Sequence, residues 1–221
     1  MANPTPRELL NSVKRFLGNP PLDDSEILYR LLNNSLSFFW LAGPWEWTLT
    51  QATVSLADDT SDYTGTTGLY IYYARLHDQD HVKDLTVVPA FPTPNVRGCP
   101  EKVCAVDDTT IRVSPKPYGY STLPVLEYWY KQEVPQIDST NIDSEFTSIP
   151  FDWVWVWEEV LLAKAMEFVR DPRAGQVQVS SDGRYAANGQ WARVFQAFQM
   201  IIQQTPMLRK VSGLFVGGVG K

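Results

Sequence analysis

The stretch HDQDH, His77 to His81, sets two histidines and two aspartates side by side. On a helix the histidines would share a face at i and i+4, the spacing of a zinc pair. The flanks, YIYYARL and VKDLTVV, are rich in β-branched and aromatic residues and favour strand or loop. No glutamate completes a zincin pattern, so a solvated polar loop accounts for the segment better than a metal site. Asp58, Asp59 and Asp62 in ADDTSDYTG loosely resemble a calcium loop. They lack its spacing and its closing glutamate, which leaves a hairpin turn. Cys104 as a nucleophile would need a histidine partner, and only His77 and His81 exist. It sits in an alternating run, where a free cysteine behaves as a small hydrophobe.

Other chemistry is missing at the level of motifs. Cys99 and Cys104, in GCPEKVC, fit neither a redox nor a zinc-ribbon spacing, and read as reduced cysteines of an intracellularly assembled protein. There is no GxSxG, Walker or Rossmann fingerprint. Gly213, Gly217, Gly218 and Gly220 come with no helix after them, so they cannot cradle a phosphate in the strand-to-helix manner. The expectation is a protein with no catalytic residues, no cofactor and no metal.

Eight tryptophans in 221 residues, with ten tyrosines and ten phenylalanines, are the strongest remaining signal. Trp45, Trp47, Trp129 and the cluster at Trp153 could form a sugar-stacking surface, the mark of a carbohydrate-binding or adhesin-type module of a virion. Core and subunit packing is the favoured account, because large aromatics dominate both. A net charge of −6 argues against a protein that grips nucleic-acid phosphates for its main work. MANPTPRELL has no apolar segment of a signal peptide, and no run of eighteen apolar residues suggests a membrane span.

The positioning elements follow from periodicity. Thr5-Pro6-Arg7-Glu8 offers an N-cap, a proline at the first helical position and a capping-box acid. Leu9, Leu10, Val13, Phe16 and Leu17 follow at helical spacing, until Gly18 and Asn19-Pro20-Pro21 end the pattern. Asp23-Asp24-Ser25-Glu26 starts a second helix that runs to Gly43-Pro44. Residues 45–135 then switch to strand-like patterning, with a hairpin bending at Asp107-Asp108-Thr109. A polar connector spans 136–147. Helical periodicity returns over Phe151–Arg170 and about Ala187–Gln204. This layout predicts an α+β protein, mainly a helical bundle of about four helices (1–44 and 148–204). An antiparallel β-rich insertion (45–135) and an extended C-terminal tail (205–221) complete it.

FDWVWVWEEVLLAKAMEFVRD, Phe151 to Asp171, makes a further demand. At 100° per residue, Trp153, Trp157, Val160, Leu161, Ala165 and Phe168 form one apolar arc. Trp155, Leu162, Met166 and Val169 fall on roughly the opposite side. A helix apolar most of the way round must be covered most of the way round. One stripe of a four-helix bundle leaves surface over, which points to self-association in a ring through Trp155, Leu162 and Met166. The tail carries Met207, Leu208, Arg209, Lys210, Val211, Leu214, Phe215 and Val216. Its glycine spacing denies it a stable helix, so it reads as a segment that orders against another protein.

Three stretches together resemble the head-to-tail connector, or adaptor, proteins of tailed bacteriophages. The first is SFFWLAGPWEWTLT, which closes the N-terminal helices. The second is GCPEKVCAVDDTTIRVSPKPYGYSTLPVLEYWYK in the β-region, and the third is IPFDWVWVWEEVLLAKAMEFVRDPRA. The resemblance covers residues 5–204. It implies a structural virion protein at the neck, assembled in the host bacterial cytoplasm. Its copies would form a ring, commonly twelve-fold, beneath the portal protein, with genomic DNA passing through the lumen without sequence-specific binding. It also implies that the tail segment Met207–Val216 reaches the portal, and that the β-region meets tail or neck proteins such as a tail tube, nozzle or terminator.

Overall fold

A computed structural model describes residues 2–22, 25–43, 45–68, 70–78, 81–120, 122–179 and 185–204. The Asp23-Asp24 start signal and the proposed portal-binding segment Met207–Val216 lie outside the described residues. The chain divides into two compact units, one spanning Thr48–Glu133 and the other comprising the flanking helical parts.

In the helical unit the Thr5 signal forms as written. The Glu8 amide donates to the Thr5 hydroxyl at 3.1 Å, and the Thr5 amide donates to the Glu8 carboxylate at 2.8 Å. Helix α1 (Pro6–Phe16) thus begins with a closed capping box. Helices α2 (Ser25–Leu41), α3 (Phe151–Phe168) and α4 (Gly189–Gln204) complete the set. Helices α1, α2 and α4 each pack on α3, which makes α3 a hub. Val154, Val156, Trp157, Val160, Leu161, Leu162, Ala163, Ala165 and Met166 are all buried along it. The Trp157 indole N–H donates to the Ser35 hydroxyl at 3.0 Å, and that hydroxyl donates to the Leu32 carbonyl at 2.9 Å.

The stretch from Ile137 to Ile149 belongs to this core despite its polar composition. Ile137, Ile142, Phe146 and Ile149 are buried in the same cluster as α3, and the Phe146 ring lies 4.9 Å from that of Trp157. Asn33 holds Ile137 in place from both sides: its amide donates to the Ile137 carbonyl at 2.8 Å and its oxygen accepts from the Ile137 amide at 2.8 Å. The Asn3 side chain donates to the carbonyls of Phe146 and Ile149. A short hairpin, β10 (Val177–Val179) with β11 (Tyr185–Ala187), precedes α4; its strand character was not read from the sequence. Gly175 opens it at φ +75°, where a Cβ would stand 2.1 Å from the Asn188 carbonyl oxygen, so only glycine fits.

The other unit is a sheet. Its strands are β1 (Leu49–Ser55), β2 (Asp62–Thr64), β3 (Ile71–Asp78), β4 (His81–Val87), β6 (Lys102–Asp107), β7 (Thr110–Ser114) and β9 (Val125–Lys131). Arg97–Gly98 (β5) and Lys116–Pro117 (β8) form a separate two-residue parallel pair. The main sheet has the order β1-β9-β3-β4-β6-β7-β2. Leu56, Tyr63, Ala74, Leu76, Leu85, Val103, Ile111, Val113, Leu126 and Tyr128 fill its own core. The expected hairpin at Asp107-Asp108-Thr109 is the β6–β7 turn.

This arrangement overturns the expectation of a mainly helical bundle carrying an antiparallel insertion. Among the described residues 36% are helical and 27% lie in strands, and the Thr48–Glu133 unit is built on a seven-stranded sheet curled into a half-barrel. The sheet is mixed, because β4 and β6 run parallel, pairing Thr86 with Lys102 and Val87 with Val103. The connection between them carries Pro89, Pro92, Pro94 and Pro100. It returns the chain to the start of the next strand, as a parallel pair requires. The helices gather on α3, and α2 and α4 also meet through the rings of Phe38 and Trp191, 5.0 Å apart.

Hub burial makes α3 sensitive on its inner face and tolerant on its outer one. Trp157→Ala should lower unfolding free energy by about 3–5 kcal/mol, whereas Trp155→Ala, 40% exposed, should change it by roughly 0.5 kcal/mol or less. Denaturant midpoints of the two variants test this, and equal losses would contradict it.

Candidate functional site

The histidines of HDQDH lie in strands β3 and β4, in a hairpin where His77 pairs with Val82 and Asp78 with His81. Cross-strand partners share a face and neighbours alternate, so His77 and His81 project to opposite sides. Asp59 and Asp62 are each turned to an arginine. Asp59 takes two hydrogen bonds from Arg97, at 2.8 and 2.5 Å. Asp62 takes two from Arg112, at 2.7 and 2.8 Å. These bidentate bonds hold both carboxyls below the usual carboxylate range. Among the described residues no group of three or more His, Cys, Asp or Glu side chains converges. Cys99 is exposed and Cys104 buried. Burial pushes the Cys104 thiol up, away from the reactive thiolate.

His77 instead joins a polar cluster on the sheet face opposite the core. Its Nε2 lies 2.7 Å from Glu127 Oε2, and Arg75 and Gln51 donate to the same carboxylate. The Arg75 guanidinium also covers the Trp129 ring at 4.8 Å. Burial pushes the Glu127 carboxyl up, but hydrogen bonds from Arg75 and His77 outweigh it and leave its pKa below the ordinary value. Sequence inspection did not find this cluster. The alternation Arg75-x-His77 against Glu127-x-Trp129 carries it only once the β3–β9 register is known.

The tryptophans weighed as a sugar-stacking surface pack mostly on one another. Trp45 is buried and its indole N–H donates to the Phe39 carbonyl at 2.6 Å. Trp47 stacks between Trp45 and Trp153, with centroids 6.0 and 6.3 Å away. Beside them, Glu46, Trp47, Pro150 and Trp153 line a shallow cleft of about 280 Å³. Trp129 is buried under Arg75. Of the three expected subunit-contact residues, Leu162 and Met166 are 8% and 2% exposed within their own chain, and Trp155 alone is at the surface at 40%. Phe151, one turn earlier, is exposed beside it.

The larger cleft of the helical unit, about 730 Å³, lies between the end of α2, α3, the start of β10 and α4. Trp191 and Phe198 are buried at its base, Phe38 and Phe195 are half-buried, and Leu41 and Val177 are exposed at its rim. The Lys164 ammonium sits 5.3 Å from the Phe38 centroid and 4.8 Å from that of Trp191. Glu167 lies 3.2 Å from Lys164 Nζ and accepts the Trp191 indole N–H at 2.7 Å. The polar atoms named here are therefore engaged with each other, and what the cleft offers an occupant is aromatic surface.

One buried charge stands apart from these sites. Lys131, at the end of β9, is fully buried with Nζ 2.5 Å from the Thr48 hydroxyl, and burial pulls its pKa down to about 7. The unfolded chain holds that proton up to about pH 10.4. Between pH 7 and 10 the unfolded state binds more protons, so stability rises with pH across that window. Below it the full penalty for burying the charge applies. Lys131→Met should therefore flatten the rise measured by denaturant unfolding at pH 7 and pH 9, and an unchanged slope would contradict the assignment. No protein-family model matches the chain, and no curated protein matches it.

Proposed function

We propose that this chain is a structural virion protein, a head–tail adaptor whose copies form a ring beneath a phage portal and extend its DNA channel. The observation that carries the reading is the order of the elements. Two helices lead into a compact β-unit, Thr48–Glu133, and two more helices follow it. That order is the layout on which the resemblance to connector proteins rests. The net charge of −6 is in keeping with a conduit, since like charge discourages DNA from sticking. The exposed aromatic pair Phe151 and Trp155 on the first turns of α3 is the natural neighbour-facing surface in such a ring. The β-unit is the platform for a tail tube, nozzle or terminator protein, and the segment Met207–Val216 is the portal-binding element.

The tail assignment is tested by deleting Met207–Lys221. Portal docking should be lost while the far-ultraviolet circular dichroism and the thermal transition of the remaining chain stay as in the full-length protein. Normal docking of the truncated protein would show that the segment is not the portal-binding element.

A further inference from the structure

Three segments of the β-unit meet around the exposed thiol of Cys99. Cys99 lies in the proline-rich connection between β4 and β6, directly after β5. From β4, the Lys83 ammonium donates to its Sγ at 3.8 Å, and Glu101 lies 3.8 Å from the same Nζ. The thiol itself donates to the Pro100 carbonyl at 3.7 Å. Tyr120 comes from the chain after β8. Its Oη is buried and has no hydrogen-bond partner among the described residues. Burial first, and then the neighbouring Cys99, push that hydroxyl above the ordinary phenol value, so it stays a donor. A buried donor without an acceptor costs free energy, and an oxygen atom carried on Sγ would supply the acceptor.

Two ordinary fates of an oxidised thiol are closed to Cys99. The next residue is Pro100, whose nitrogen has no proton to lose, so capture by that backbone nitrogen is excluded. Cys104, the other cysteine of the chain, is 1% exposed and is withheld as a resolving thiol. The Lys83 amine is the nucleophile at hand. We propose that Cys99 and Lys83 form a peroxide-sensitive covalent switch, in which Sγ is oxidised and then captured by Nζ. In the first step the sulfur attacks hydrogen peroxide. The O–O bond breaks, an S–O bond forms, and the thiol proton leaves with the second oxygen as water. The sulfur gives up two electrons, the peroxide is reduced, and Tyr120 donates to the new oxygen. In the second step the unprotonated Lys83 amine attacks the sulfenic sulfur. An S–N bond replaces the S–O bond, and water leaves. The new bond ties β4 to the loop that enters β6, where the parallel ladder holds only two residue pairs. A thiol reductant reverses it, because two thiols become a disulfide and restore Cys99 and Lys83. The switch uses no residue of the ring or portal reading and stands apart from it.

The full-length protein treated with hydrogen peroxide, followed by intact mass and tryptic mapping, tests this. Its mass should fall by two hydrogen atoms. Residues 76–97, no longer cut after Lys83, should appear joined to residues 98–102. Dithiothreitol should restore the original mass and map. Lys83→Arg should gain oxygen instead, Cys99→Ser should show neither change, and Cys104→Ala should behave as the unaltered protein does. Tyr120→Phe should form the bond roughly tenfold more slowly, the effect of one hydrogen bond to a charged group; an unchanged rate would overturn the tyrosine's part. An unaltered protein that only gains oxygen, or does not react, would overturn the proposal. So would a two-hydrogen loss that persists in Lys83→Arg, or one that vanishes in Cys104→Ala and so reports a disulfide.

Discussion

Helix α3 has almost no polar face, and the helical unit is arranged to cover it. Val156, Trp157, Val160, Leu161, Ala163 and Ala165 have no accessible surface, and Val154, Leu162 and Met166 have little. Each large side chain buried this way contributes about 1.5–3 kcal/mol of apolar transfer free energy. The cover comes from α1, α2 and α4, and from the Ile137–Ile149 segment with Phe146 against Trp157. The Trp157 indole N–H at the hub is satisfied by the Ser35 hydroxyl. An unpaired donor at that depth would cost about 1–3 kcal/mol. The same constraint leaves little for a neighbouring copy to cover on α3 beyond its first and last turns.

The β-unit meets a different constraint. A curled sheet has a core face and an outer face, and here the outer one is held by charge. Glu127 on β9 gathers partners from the two strands that flank it, Gln51 on β1 and Arg75 and His77 on β3. Asp62 and Arg112 tie β2 to β7, and Asp59 binds Arg97 of β5. Of the candidate residues, His77, Asp59 and Asp62 thus fasten strands and turns.

Local signals in the sequence translated well where a single element settles them. The Thr5 capping box, the β6–β7 turn and the α3 periodicity all need only near neighbours. What depended on pairing did not translate. The parallel β4–β6 contact joins residues across a proline-rich loop whose path has no local signature. The four apolar residues between Ile137 and Ile149 are diluted by aspartate, serine and threonine, so their spacing reads as a polar connector until Asn3 and Asn33 are seen holding it. The all-round apolar character of α3 was legible, but two explanations fit it, a neighbour or the subunit's own elements. Leu162 and Met166 fall to the second, and Trp155 stays open to the first.

Since α3 is covered by its own subunit, the proposed ring would rest on the small exposed surface around Phe151 and Trp155, and a portal would have to act as its template. Native mass measurement of the purified protein, alone and mixed with portal rings, tests this most directly. The account predicts a folded 25.1 kDa monomer that adds to portal rings in a number set by the portal's symmetry. A closed ring formed by the protein alone, or no association with portal rings at all, would contradict it.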